Sequence, residues 1–180
     1  LQLVENVANP FFLMVFLTSV EVDMMAATAV PVHPQDVNLG VLGTMLSYWV
    51  RSVNIAVSRD LDEQLSGLEV ARGTGKISTL LIIDHHPGIR PSLIAEVIQR
   101  DRSAMARLID QMEQQQLLTR QTGEQDQRSQ ALFLTPRGAA LAQRVRQLTQ
   151  QQEDRFFRHL TAQEKKSAIK LLKKIMRYSP

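Results

Sequence analysis

Residues 101–138 read DRSAMARLIDQMEQQQLLTRQTGEQDQRSQALFLTPRG. This stretch holds a helix, a hairpin and the opening of a second helix. Asp101 is a capping residue type standing before a segment of helical period. Met105, Leu108, Ile109 and Met112 recur at spacings of three and four and form one inward face. Arg102, Ser103, Ala106, Arg107 and Asp110 fall on the opposite side, toward the N-terminal half. Two short β-prone stretches follow, Leu117–Gln121 and Ala131–Leu134, around the polar, Gly123-containing Thr122–Gln130. That pattern predicts a hairpin with a long tip. Thr135 and Pro136 then open a helix with Leu141, Val145 and Leu148 on one face.

Outward from this stretch the chain is helical. Pro91 opens a short helix, Ser92–Ile98, with Leu93, Ile94 and Val97 expected to face inward. The connection from Ile98 to Asp101 is short, so the two helices form a helix-turn-helix candidate. Upstream, Thr74 is expected to cap a helix through Ile77, Leu80, Leu81 and Ile83, stopped near His85–His86 by Pro87 and Gly88. A long amphipathic helix is expected from an Asn38 cap. Its stripe is Leu39, Leu42, Leu46, Trp49, Val53, Val57, Leu61 and Leu65. Downstream, the polar run Gln147–Asp154 continues the helix from Pro136. Thr161-Ala162-Gln163-Glu164 fits a capping box opening a last helix, with Ile169, Leu172, Ile175 and Met176 buried and its lysines outward.

The fold class is therefore mainly α with a small β-hairpin wing. Residues 1–35 form an N-terminal extension, 36–66 a dimerisation helix, 67–147 a winged helix-turn-helix and 148–180 C-terminal dimerisation helices. The chain opens on Leu1 rather than Met. Residues 1–23 are read as a tag remnant or as translation from upstream of a start at Met24 or Met25. Their apolar run, Phe11–Leu17, is too short to span a membrane, and no basic region precedes it as a secretory signal requires.

Of the 180 residues 44% are hydrophobic, which is not a disordered composition. There is no cysteine, which excludes disulfides, thiolate zinc sites and a thiol switch, and fits the cytoplasm. The net charge is only +3. Its distribution is more informative: residues 1–38 carry no cation, and every cation between Ile77 and Glu164 is an arginine. Arginine suits forked recognition of phosphate and guanine, although a solvated basic surface would show the same composition.

A helix entering a major groove presents its first turns to base edges and its N-terminus to phosphate. Ser103 can bond a base or a phosphate, Ala106 permits close approach, and Arg107 can fork onto guanine. An ordinary surface helix would have the same layout, and the hairpin distinguishes the two. Its tip, Gly123-Glu124-Gln125-Asp126-Gln127-Arg128, carries an arginine suited to a narrow minor groove, with an acid two residues earlier to hold it.

The Asp126-Gln127-Arg128 wing pattern, the Leu134, Thr135 and Gly138 signature after it and the Asp101–Ile109 helix resemble the MarR family of regulators. So does the strand opening Leu117-Leu118-Thr119-Arg120. The resemblance runs from about Leu39 to Arg177. Gln116 stands where the family usually has a glycine before the first wing strand, and Ile98-Gln99-Arg100-Asp101 lacks one before the recognition helix. The resemblance implies a homodimer on double-stranded, pseudo-palindromic DNA, with Arg90, Ser92, Arg102, Ser103, Ala106, Arg107, Asp126 and Arg128 as contacts. It also implies a small aromatic or phenolic effector, for which Tyr48, Trp49, Arg51, His85 and His86 are the candidates, as an aromatic wall plus a cation. Trp49 is equally read as core, and the two histidines as the end of a helix.

No cofactor or catalytic site is read. Gly73-Thr74-Gly75-Lys76 fails the phosphate-loop pattern at Val70 and Ile77, and HExxH and GxSxG are absent. His33, His85, His86 and His159 are scattered. Two alternatives remain: a metal-responsive winged-helix regulator using His85, His86 and Asp84, and a protein-interaction module that kept the fold without binding DNA. Adjacent histidines diverge on a helix and make a poor shared metal site.

Overall fold

A computed structural model of the chain describes residues 33–71, 73–122 and 130–178, in two compact units, residues 1–49 and 50–180. The N-terminal extension lies largely outside the described residues.

The described part of the first unit begins with a 3-10 turn, Pro34–Asp36, and a second, Gly40–Thr44. The long helix expected from Asn38 is therefore corrected: helix α1 is Leu46–Gln64. Two glycines, Gly40 and Gly43, weaken the helix here. The Asn38 side chain accepts the Gly40 N–H at 2.9 Å and fixes a local turn, with Gly40 at φ +54°.

In the second unit α1 is followed by α2 (Thr74–His85), α3 (Pro91–Val97) and α4 (Arg102–Gln114). Strands β1 (Leu118–Thr122) and β2 (Gln130–Leu134) then precede α5 (Pro136–Phe156) and α6 (Ala162–Arg177). Gly73 rather than Thr74 occupies the cap of α2. The strands are antiparallel, with Leu118 opposite Leu134, Arg120 opposite Leu132 and Thr122 opposite Gln130. Ile89 adds a third partner not legible in its own neighbourhood: Gly88 donates to Leu132 O and Leu132 to Ile89 O, at 2.8 and 3.1 Å.

The core joins α2, α3, α4, both strands and α5. Leu80, Ile83, Ile94, Met112, Leu117, Leu132 and Val145 are wholly buried. Each such side chain contributes about 1.5–3 kcal/mol. The inward face of α4 is as expected: Met105, Leu108, Ile109 and Met112 are all buried. On α3 the expectation fails for Leu93 and Val97, which are 50% and 66% exposed. In this seven-residue helix Ile94 and Ala95 take the inward positions, with Ile98 packed against the same core.

The wing signature has a steric reason. Thr135 Oγ1 donates to Gln116 O at 2.6 Å and accepts the Gly138 N–H at 3.0 Å, while the Thr135 N–H reaches Leu117 O at 3.1 Å. A Cβ on Gly138 would stand 1.8 Å from that same Leu117 oxygen. The first turn of α5 therefore sits directly on the backbone joining α4 to β1.

The burial expected on α6 is corrected, and the α1 stripe divides along its length. Leu65 is buried and Leu61 packs against the core, but Leu42, Leu46, Trp49 and Val53 are exposed. On α6 Ile169, Leu172, Ile175 and Met176 are 45–51% exposed instead of buried. The periodicity is real, and among the described residues nothing covers these faces. The α6 capping box is formed, with Thr161 and Glu164 satisfying each other's backbone N–H.

Candidate nucleic-acid interface

Asp101 starts the exposed helix. Its carboxylate accepts the Ala104 N–H and the Ser103 hydroxyl, both at 2.7 Å. The Ser103 hydroxyl, more than the Ala104 N–H, holds the Asp101 carboxyl below its ordinary value. Arg107 Nη1 lies 3.5 Å from Ser103 Oγ. Ser103 thus gives its proton to the cap and its oxygen to Arg107. In the free chain it orients Arg107 along the outer face of α4.

Arg102, Ser103, Ala106 and Arg107 are all exposed or half-exposed, as are Arg90, the cap of α3, and Ser92 in its first turn. Ser92, Arg102 and Ala106 line one cleft of about 220 Å³, together with Pro91, Arg120 and Gln130. The structure therefore gathers part of the expected set between α3, α4 and the base of the hairpin. Asp126 and Arg128 lie outside the described residues.

Arg120 was missed. It projects from β1 to α4, where Nη2 donates to Asp110 and Nε stands 3.2 Å from Glu113 Oε2. Nε is buried and makes no aligned hydrogen bond, so its contact with Glu113 is ionic. Nothing in the sequence pairs these positions, because the contact depends on how the strand leaves the helix. Three further arginines have carboxylate partners: Arg137 with Glu69, Arg146 with Asp84, and Arg155 with Asp60.

The candidates for an effector divide between the units. In the first, the Trp49 indole donates to Gly43 O at 3.0 Å and stacks edge-on with Tyr48, ring centroids 5.3 Å apart. Trp49 is 48% exposed, so it is not core within the single chain. In the second, Arg51, His85 and His86 are exposed, and the histidine rings stand at 84° to each other. Asp84 is held by Arg146. Among the described residues, no three His, Asp or Glu are grouped so as to hold a metal ion. No helix among them is long and apolar enough to cross a membrane.

A capped helix with an exposed polar face, preceded by a short helix and followed by a hairpin, defines a winged helix-turn-helix. The MarR family model matches residues 75–130, from α2 to the start of β2. The chain is 28% identical over 138 residues to a putative transcriptional regulatory protein for the hcr operon of Thauera aromatica, covering 77% of this chain and 82% of that one. Its fold is similar to that of CouR, a transcriptional repressor solved on a 23-mer DNA duplex, with a TM-score of 0.72 and 25% identity. That alignment covers 78% of this chain and 98% of CouR. It also resembles a mutant of MarR from E. coli solved with operator DNA, at a TM-score of 0.66 and 28% identity, covering 72% and 92% of the two chains. CouR is also solved bound to p-coumaroyl-CoA, where the TM-score is 0.70 at 23% identity, covering 79% and 99%. Residues 75–130 thus match the MarR family model, and the chain is similar in sequence and fold to transcriptional regulators of that kind.

Proposed function

We propose that this chain is a cytoplasmic repressor that binds a pseudo-palindromic operator as a homodimer, with α4 in the major groove and Arg128 of the wing in the minor groove. The outer face of α4 carries this reading: four small or forked side chains are presented on a helix whose opposite face is buried. Residues 67–147 are the DNA-binding part in this proposal. Residues 36–66 and 148–180 form the dimer layer, which accounts for the uncovered apolar faces of α1 and α6. Two helices related by a two-fold axis would then meet half-sites about 34–36 Å apart, one turn of duplex.

A small aromatic or phenolic acid is proposed to lower DNA affinity. Tyr48 and Trp49 are the candidate ring faces, Arg51 is the candidate cation, and His85 and His86 are candidate polar contacts. The p-coumaroyl-CoA complex of CouR is consistent with an effector of this chemistry.

The test is binding to the duplex upstream of the chain's own gene, at several salt concentrations and against scrambled competitor. Selective binding with a steep salt slope is expected. Arg107→Ala should cost about 1–3 kcal/mol on the specific duplex, and Arg128→Ala should weaken binding broadly. Equal affinity of both variants and the parent would overturn the docking scheme. Release by an aromatic acid, screened in the same assay, tests the effector.

A further inference from the structure

The hairpin and the recognition helix meet around a gap. The cleft of about 220 Å³ separates α3 and α4 from the hairpin base, so apolar packing does not fill the space between them. Along β1, residues 118 and 120 share one side of the strand. Leu118 on that side is buried in the core, at 1% exposure. Arg120 comes next, paired across the hairpin with Leu132. It bonds Asp110 and faces Glu113, one helical turn apart on α4.

We propose that Arg120 is a positioning residue: it ties the wing to the recognition helix and so fixes where the wing tip meets DNA. The inference rests on the DNA-binding reading. Leu118 and Leu132 hold the base of the hairpin to the core at this level. Arg120 adds a polar tie from β1 to α4, beside the cleft. Two residues of β1 lie beyond it, to Thr122, so the angle set at Arg120 is carried outward along the strand. The Arg120 side chain is 24% exposed and its partners 42–54%, so the pairs contribute little to global stability. The effect on geometry is therefore separable from folding.

The experiment compares Arg120→Ala, Arg128→Ala and Arg107→Ala, singly and combined, on the upstream duplex. Arg120→Ala should lower affinity at least tenfold at an unchanged thermal midpoint, and Arg120→Lys should recover part of it. In the Arg120→Ala background, Arg128→Ala should cost far less than in the parent, whereas Arg107→Ala should cost the same in both. Additive losses at Arg120 and Arg128 would overturn the proposal. So would full recovery on adding Asp110→Asn and Glu113→Gln to Arg120→Ala, which would make Arg120 a charge neutraliser only. A second arm needs no DNA: in Arg120→Ala, amide exchange should quicken at the β1 and β2 ends nearest the tip and stay unchanged in α2 and α5. Unchanged exchange in the hairpin sinks the tether. Quickened exchange in a protein whose parent binds no duplex keeps the tether and rejects the DNA-binding reading.

Discussion

Two glutamines carry backbone strain that most chains would assign to glycine. Gln99 and Gln116 have φ +52° and +57°, and they are the non-glycine residues at positive φ among those described. Both sit just past a helix end in the same hydrogen-bond pattern. After α3, Arg100 N reaches Ala95 O and Gln99 N reaches Glu96 O, at 2.8 and 3.2 Å. After α4, Leu117 N reaches Met112 O and Gln116 N reaches Glu113 O, at 2.9 and 2.8 Å. These are Schellman caps with a side chain at the left-handed position. Their sites were legible from the sequence as missing glycines. The outcome was not, because it depends on the buried Leu117 and Met112 holding the cap closed. Gln99→Gly and Gln116→Gly should each stabilise the fold by about 1 kcal/mol, read from the denaturant midpoint. No gain from either would mean the caps are relaxed as they stand.

At the scale of elements, two helix starts support the reading face. The Asp101 cap of α4 was legible from residue type and spacing alone. Hydrogen bonds from Ser103 and Ala104 hold its carboxyl below the ordinary 3.8. Because the folded value is depressed, the cap's contribution is complete above about that pH and is lost as pH falls through the folded value. Asp101→Asn should keep the cap, since an amide oxygen also accepts, but should remove this part of the acid sensitivity measured by circular dichroism. The start of α5 is less forgiving. Gly138→Ala places a methyl 1.8 Å from Leu117 O, against backbone that cannot swing aside as a side chain would, and should cost about 3 kcal/mol in a denaturant titration. The sequence pattern marked Gly138, but only the contact with Leu117 explains it. The Arg120 tie was not legible at all, for the same reason: it joins elements whose relative angle no local pattern encodes.

For the whole molecule, the order of helices and the hairpin followed from periodicity, but the burial of the outer helices did not. The apolar spacing of α6 was read as inward, yet Ile169, Leu172, Ile175 and Met176 remain 45–51% exposed. Spacing reports that a face is apolar without saying which chain covers it. If a second copy does, Leu172→Glu should convert dimer to monomer in sedimentation while the helical signal of the winged part persists. A parent that sediments as a monomer at every concentration would remove the dimer layer from the scheme.

The three arginines of α5 that meet carboxylates, Arg137, Arg146 and Arg155, are nine residues apart along one helix. Nine residues are two and a half turns, so consecutive members project from opposite sides of α5. Arg137 and Arg155 pull toward Glu69 and Asp60, while Arg146 pulls toward Asp84 at the end of α2. Each pair is a weak surface contact. Together they act as guy-ropes on alternate sides of a mast. Because the partners lie outside α5 and on opposite sides of it, a roll of the helix about its own axis draws all three arginines from their carboxylates at once. The three pairs therefore resist rotation weakly, but jointly and in either sense.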